Sequence, residues 1–456
     1  MEKLNINDLI STQKRLFSSQ KTKDIAFRKT QLLKLKSTIL AHEEEIYSSL
    51  FLDLHKSKEE SFFTEVGLVL NEIDLFVSNL NSWASDKSVF SPLYLLPSSS
   101  YIKYDPLGVC LNIVPFNYPF QLTFLPLVSA IGAGNCVIVK GSEHTPNTNK
   151  IVSKIIAFCF DPNYVCFIEG DRSVSEKLVR LPFDLIFFTG STAVGKKVMA
   201  AAADNLTPVI LELGGKSPCI VDISADIALA ARRIVWGKLI NSGQTCIAPD
   251  FLIVHLSIVN NFLFLLIKEI ELLYGKDSKT SPFYGRIINE VAYERLVYLL
   301  EEKEVYYGGK TDKSSLYISP TILYPVSLSS KAMQEEIFGP ILPVLTFENE
   351  KDLDALYPKE KPLSLYVFGS NNWAKKILSR FPSGGACIND SVIHFSNKNL
   401  PFGGVGASGM GHYHGRAGFL AFSHSRGVIR SYNWIDLAFR YPPYALFKWI
   451  KKLFRF

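Results

Sequence analysis

The sequence predicts an α/β protein of two packed blocks, each built on a mainly parallel sheet. Three observations carry this. Short apolar runs at 108–114, 135–139, 165–168, 184–188 and 208–212 are separated by stretches of helical length, the pattern of successive strand–helix–strand units. A second alternation begins near Gly214, where helical patterns at 225–240 and 257–273 flank the apolar run Phe251–Val254, and it continues to about Pro401. The chain has 456 residues, too many for one core.

Composition narrows the class. Hydrophobic content of 47% with 20% charged residues describes a globular chain rather than a disordered one. A net charge of +6, with no dense basic run in the body, gives no footprint for nucleic acid. Seven cysteines without a CxxC pair argue against a disulfide framework and a metal site, and for a reducing compartment. The opening MEKLNINDLI lacks the pattern of a signal peptide. Leu122 to Val139 carries no charge, but Pro126, Gly132, Gly134 and Asn135 punctuate it. A buried helix running into a buried strand explains it better than a membrane span.

In chain order, residues 1–84 read as helices. Ile46, Leu50 and Leu54 recur along one face, as do Phe62, Val66, Val69, Ile73, Phe76 and Leu80, which predict a helix over 61–83. Residues 91–106, rich in proline and serine, predict a hairpin or linker leaving the body. At 184–203 a strand, a glycine turn and an alanine-rich helix succeed one another. Free N–H groups at that helix start suit a phosphate, with Gly190, Ser191, Thr192 and Gly195 around it. Thr192 stands where the dinucleotide fingerprint has its second glycine, so Ser191 Oγ and the following amides are the expected phosphate ligands. Pro119 is expected to open the next helix at its first position.

Leu211 to Asp250 holds the chemistry-bearing pair. Glu212 precedes Gly214 and Gly215, while Asn241, Gly243, Gln244 and Thr245 lead into Cys246. A thiolate attacks carbonyl carbon, and a carboxylate activates water. Taken alone, a cysteine in apolar company is a small buried hydrophobe.

Several stretches together resemble the aldehyde dehydrogenase superfamily, in the family's order over most of the chain. They are VPFNYPF (114–120), IVKGSE (138–143), FTGSTAVG (188–195), LELGGKSP (211–218), NSGQTCIAPD (241–250), YGKDSKTSPFYGRIIN (274–289), EEIFGPILPV (335–344) and LPFGGVGASGMGHYHG (400–415). YGKDSKTSP and GMGHYHG point to the class 3 branch, which includes fatty aldehyde dehydrogenases. The resemblance implies an aldehyde dehydrogenase-like fold, with a Rossmann-type cofactor domain, an α/β catalytic domain and a small β oligomerisation arm. It implies Cys246 as nucleophile, Glu212 as base, and Asn117 with the Cys246 N–H as oxyanion hole. Lys140, Glu143, Leu213, Gly214, Glu336 and Phe338 are then cofactor contacts, with the carboxylate of Glu143 favouring NAD while NADP stays open. Asn117, Trp236 and Phe402 are expected along the substrate tunnel. Phe116 stands where many members carry tryptophan, and the stretch from Asp352 to Pro362 is short; both bear on tunnel shape.

The expected domains are 1–90 with 107–213 for NAD(P), 214–403 for catalysis, 91–106 with 415–435 for oligomerisation, and a basic amphipathic tail at 444–456. In that tail Leu446, Trp449, Ile450 and Leu453 share one helical face, and Lys448, Lys451, Lys452 and Arg455 another. It suits a membrane interface or a partner subunit equally. The resulting expectation is a cytoplasmic homodimer, with peripheral contact at the inner membrane face, that oxidises medium- or long-chain or aromatic aldehydes with NAD(P). Two alternatives remain: a non-enzymatic dinucleotide-binding interaction module, and an enzyme that passes its thioester to coenzyme A.

Overall fold

Five parallel strands build the first sheet: Val109–Ile113, Cys136–Lys140, Val165–Ile168, Leu185–Gly190 and Val209–Leu213. In space they run 209–213, 185–190, 109–113, 136–140, 165–168. The earliest strand lies in the middle and the chain winds outward to each side, so the sheet is doubly wound with a switch point between 109–113 and 185–190. The central strands are covered on both faces, which is why they read as unbroken apolar runs. A short antiparallel strand, Gly409–Met410, closes one edge and pairs Gly409 with Glu212. This computed structural model describes residues 6–301, 304–437, 440–444 and 446–453.

The second sheet has seven strands, ordered 305–307, 321–323, 341–347, 251–255, 218–221, 364–368, 385–388. All pairs are parallel except that of 305–307. The helices Ile227–Leu239 and Val259–Tyr274 flank the strand Phe251–His255, where the periodicity predicts them.

A third sheet stands apart. Lys87–Val89, Ser98–Pro106 and Ser423–Ser431 pair antiparallel, with Ser98 opposite Ser431 and Pro106 opposite Ser423. The hairpin expected within 91–106 is therefore shifted: its first arm is 87–89, because Pro92 and Pro97 keep the intervening residues out of the ladder. The segment 415–435 also divides. Gly415–Ala421 is a helix packed on Gln121–Ala133, and only 423–431 is strand.

Two helical expectations need correction. The 61–83 pattern is not one α-helix: a wider π turn, Phe62–Val66, precedes the α-helix Gly67–Trp83. The turn leaves Phe62 38% exposed and brings Glu65 and Val66 fully inside. Pro119 does not open the next helix, which starts at Gln121 and has no side-chain cap of its own; Glu65 supplies that cap from outside. The uncharged stretch at 122–139 is a fully buried helix followed by the buried strand Cys136–Lys140. No helix among the described residues is long and apolar enough to cross a membrane. In the tail, Phe447–Leu453 is helical with Trp449 69% exposed. The side chains of Ile450 and Leu453 and the whole of Arg455 lie outside the described residues.

Candidate active site

The carboxyl ends of the first sheet present one set of groups. The chain leaves 109–113 toward Asn117, leaves 136–140 at Lys140 toward Glu143, and leaves 185–190 at Gly190 into Ser191. The strand 209–213 carries Glu212 and hands over to Gly214. Parallel strand ends gather free backbone N–H groups and helix N-termini at one edge of the sheet.

The second set comes from the loop before strand 251–255. After helix 227–239 the chain turns through Ile240–Gly243, where Asn241, Ser242 and Gly243 hold φ of 52°, 52° and 77°. Left-handed backbone at a non-glycine residue costs about 1–3 kcal/mol and persists only when its surroundings over-determine it. Here Asn241 N–H donates to Glu60 Oε1 (2.7 Å), and Asn241 Nδ2 donates to the carbonyls of Asn117 (2.7 Å) and Gln244 (3.1 Å). Gln244 Nε2 donates to the Asn241 and Arg286 carbonyls, and its Oε1 accepts from Ile288 N–H. A Cβ on Gly243 would lie 2.3 Å from the Gly339 carbonyl oxygen. These contacts are the physical content of the asparagine, glycine and glutamine that precede the cysteine.

Cys246 and Glu212 open on one cavity of about 490 Å³, whose wall also carries Thr189, Tyr118, Trp236, Phe395, Phe402 and Tyr413. Trp236 and Phe402 thus lie on it. Asn117 is not among the lining residues: it is 3% exposed, with Nδ2 donating to the Gln244 carbonyl at 3.1 Å. One N–H of that amide remains for another acceptor. Glu212 is buried, and neither carboxylate oxygen has a hydrogen-bond partner among the described residues. Burial therefore pushes its carboxyl well above the usual range. Burial also pushes the Cys246 thiol up, helped by the charges of Glu336 and Glu212, while the N–H groups of Cys246 and Ile247 pull it down. Thr189 Oγ1 and Tyr413 OH are likewise buried without partners.

The residues expected to hold a dinucleotide gather at the carboxyl ends of strands 136–140, 185–190 and 209–213. Ser191 caps the helix Thr192–Ala203, its Oγ accepting from Val194 N–H at 3.4 Å, which leaves its hydroxyl proton to donate. Thr192 Oγ1 is spent on the Ala407 carbonyl at 3.1 Å. Gly195 gives the close helix–strand approach: a Cβ there would lie 2.6 Å from Leu213 Cδ2. Lys140 is buried and donates to Glu143 Oε2 at 3.1 Å; Glu143 keeps 38% of its side chain exposed. Gly214 admits Glu336, whose Oε2 would be 2.0 Å from a Cβ at that position. Burial and the neighbouring Asp250 push the Glu336 carboxyl up to about 8, opposed by the Gly215 N–H. Phe338 has φ of 51° and sets its ring edge-on to Phe116, 5.7 Å between centroids. A helix N-terminus capped by Ser191, the half-exposed carboxylate of Glu143 and the glycine clearances at Gly195 and Gly214 thus lie at this edge of the sheet.

Several residues of this architecture escape motif reading. Asp250 accepts from Lys216 Nζ (2.5 Å) and from Ile337 N–H (2.9 Å), and Lys216 also holds the Ala332 and Glu335 carbonyls. That pair ties the segment bearing Glu336 and Phe338 to the start of the strand Phe251–His255, which the Cys246 loop enters. Both residues lie inside recognised motifs, so their presence is legible although their pairing is not. Tyr366 OH donates to the Ile247 carbonyl at 2.5 Å, and Tyr118 OH lies 2.6 Å from Thr245 Oγ1. Nothing in the sequence marks these long-range contacts.

A doubly wound sheet whose carboxyl edge carries a buried carboxylate without a partner among the described residues, on one cavity with a half-buried thiol, is the architecture of a dinucleotide-dependent oxidoreductase. Residues 2–428 match the Aldehyde dehydrogenase family, and the chain belongs to that family. It is 46% identical over 447 residues to the 4,4'-diaponeurosporen-aldehyde dehydrogenase of Staphylococcus aureus, covering 97% of each chain. It is 43% identical to the dimeric NADP-preferring aldehyde dehydrogenase of Canis lupus familiaris, over 96% of this chain and 98% of that one. Among solved structures, a substrate-bound aldehyde dehydrogenase of Staphylococcus aureus superposes with a TM-score of 0.97 at 45% identity, covering 99% of both chains. Betaine aldehyde dehydrogenase from the same organism, solved with NAD+, gives 0.84 at 27% identity over 95% of this chain and 88% of that one. The family expected from the motifs is therefore shown, and relatives named as family 3 members agree with the class 3 branch. The protein is an aldehyde-oxidising enzyme that uses NAD or NADP.

Proposed function

We propose that Cys246 is the nucleophile, Glu212 the hydrolytic base and Asn117 an oxyanion donor in the oxidation of apolar aldehydes to carboxylic acids. The observation that carries this is the pairing, on one largely apolar cavity, of the Cys246 thiol with a buried carboxylate that has no hydrogen-bond partner among the described residues. The Cys246 thiolate adds to the aldehyde carbon, and the carbonyl π electrons move to oxygen. The free N–H of Asn117 and the Cys246 N–H receive that oxyanion; losing one such donor typically costs about 3 kcal/mol of barrier. The nicotinamide, when bound, supplies the hydride acceptor. Glu212 takes a proton from water, whose oxygen attacks the resulting thioester; the carbon–sulfur bond breaks and the acid leaves.

Gly190, Ser191, Thr192 and Gly195 would border the pyrophosphate, Lys140 and Glu143 the adenosine ribose, and Leu213, Gly214, Glu336 and Phe338 the nicotinamide side. Glu143 can accept from ribose hydroxyls and repels a 2′-phosphate, which supports NAD as the preferred cofactor. Trp236 and Phe402 would wall the tunnel for an aliphatic or aromatic tail. Residues 1–90 with 107–213 would be the cofactor domain and 214–403 the catalytic domain. The sheet of 98–106 and 423–431 supports homodimerisation, in line with the word dimeric in a relative's name. The expected setting is cytoplasmic, with the exposed basic helix near the C-terminus touching the inner membrane face. The test is a chain-length series of aldehydes with both cofactors, read by reduced-cofactor absorbance. Turnover should be abolished in Cys246→Ser; a wild-type protein silent across the panel refutes the reading.

A further inference from the structure

Beneath Asn117 lies an ion pair that the reaction chemistry does not use. Lys56 Nζ and Glu65 Oε1 are 2.5 Å apart, and both side chains are 0% exposed. Replacing a buried pair by apolar groups is often neutral or stabilising, so stability alone is a weak reason for one to be there. What the two residues touch is more telling. Lys56 Nζ also donates to the Asn117 carbonyl at 3.0 Å and lies 4.0 Å over the Tyr118 ring. Glu65 Oε2 accepts from the N–H groups of Phe120 (2.9 Å) and Gln121 (3.1 Å). One ion pair thus grips both ends of the turn 117–121, which lacks a side-chain cap of its own. Glu65 reaches inward because it lies in the π turn Phe62–Val66; an extra residue per turn of this kind is common where a helix serves a site.

The turn is gripped on its other side by the nucleophile loop. Asn241 Nδ2 donates to the same Asn117 carbonyl at 2.7 Å, and Asn117 Nδ2 donates to the Gln244 carbonyl at 3.1 Å. Lys56 and Asn241 therefore fix the Asn117 backbone from opposite elements, which sets where its side-chain amide points.

We propose that Lys56 and Glu65 are positioning residues for the oxyanion hole, holding the 117–121 turn so that the Asn117 amide meets the oxygen of a substrate bound at Cys246. The proposal rests on the reading of Asn117 as oxyanion donor. It is tested on the full-length enzyme with Lys56→Met/Glu65→Gln, which removes both charges of the pair together. With saturating aldehyde and NAD, kcat should fall by about 30-fold. The KM for aldehyde, the Kd for NAD and the rate of Cys246 alkylation by iodoacetamide should stay within about twofold of wild type. The deciding readout is a double-mutant cycle: in an Asn117→Ala background the same two substitutions should change kcat by less than about threefold. Losses that multiply instead, or an unchanged kcat in the double variant, overturn the proposal while leaving Asn117 catalytic. Full kcat in Asn117→Ala alone removes the oxyanion reading and the positioning role with it. Should the double variant not fold, Lys56→Arg, which keeps the charge but changes the reach to Asn117, is carried through the same cycle with the same criteria.

Discussion

At the scale of single residues, Glu212 is the group most exposed to test. Its native carboxyl holds a proton more tightly than it would in the unfolded chain, because burial leaves the charged form without a donor. Stability from this source is present below the ordinary carboxylate range and is lost as pH rises through the raised pKa. Glu212→Gln should therefore melt higher than wild type, with a gap that widens as pH rises above the ordinary carboxylate range in thermal-shift measurements. The same substitution should leave the first turnover intact and slow steady-state turnover by about 100-fold or more, because thioester hydrolysis loses its base. Accumulation of acyl-enzyme by mass spectrometry checks this. At alkaline pH, where Glu212 is ionised, its charge is one cause of the raised Cys246 pKa, so iodoacetamide should there alkylate the thiol faster in Glu212→Gln. Slower alkylation would mean that Glu212 deprotonates the thiol. At the cofactor end, Glu143→Gln should raise the NADP to NAD ratio of kcat/KM by about tenfold, the equivalent of ~1.4 kcal/mol of removed repulsion.

At the scale of elements, the turn Ile240–Gly243 is a strained part of the site. Gly243→Ala places a Cβ against the Gly339 carbonyl at a φ of 77°, and neither the backbone oxygen nor the dihedral can yield cheaply. A loss of about 2–4 kcal/mol in chemical denaturation, with turnover falling alongside, is expected. The parallel strands were legible in the sequence because burial on both faces writes them as bare apolar runs. Helices such as 227–239 and 259–274 were legible through one-sided periodicity. The π turn at Phe62–Val66 was not, since adding one residue to a turn leaves the apolar spacing nearly intact while rotating Phe62 out and Glu65 in. Cys246, Glu212 and the 190–195 loop announce themselves by local motif. Their supports, Lys56 with Glu65, Tyr366 and the pairing of Lys216 with Asp250, depend on contacts between distant segments and leave no local spacing to read.

At the scale of the whole molecule, the antiparallel sheet of 87–89, 98–106 and 423–431 stands apart from both larger sheets, with 423–431 as an exposed edge. For the proposed homodimer built on this edge, Val428→Pro, which puts a proline into the edge strand, should shift the protein toward monomer in sedimentation velocity; an unchanged oligomeric state counts against that contact. Deleting the chain from Tyr444 should abolish co-sedimentation with anionic liposomes at low salt and leave turnover unchanged. The cavity wall has a further consequence. Cys246 and Glu212 are fixed by strands and strained turns, whereas Phe63, Trp236 and Phe283 reach the same cavity from exposed positions, 71%, 40% and 51% accessible. Those three side chains are free to drift in sequence at little cost to folding. The range of acceptable aldehydes can therefore evolve quickly around chemistry that cannot, and a substitution library confined to these three sites should yield folded enzymes of altered chain-length preference.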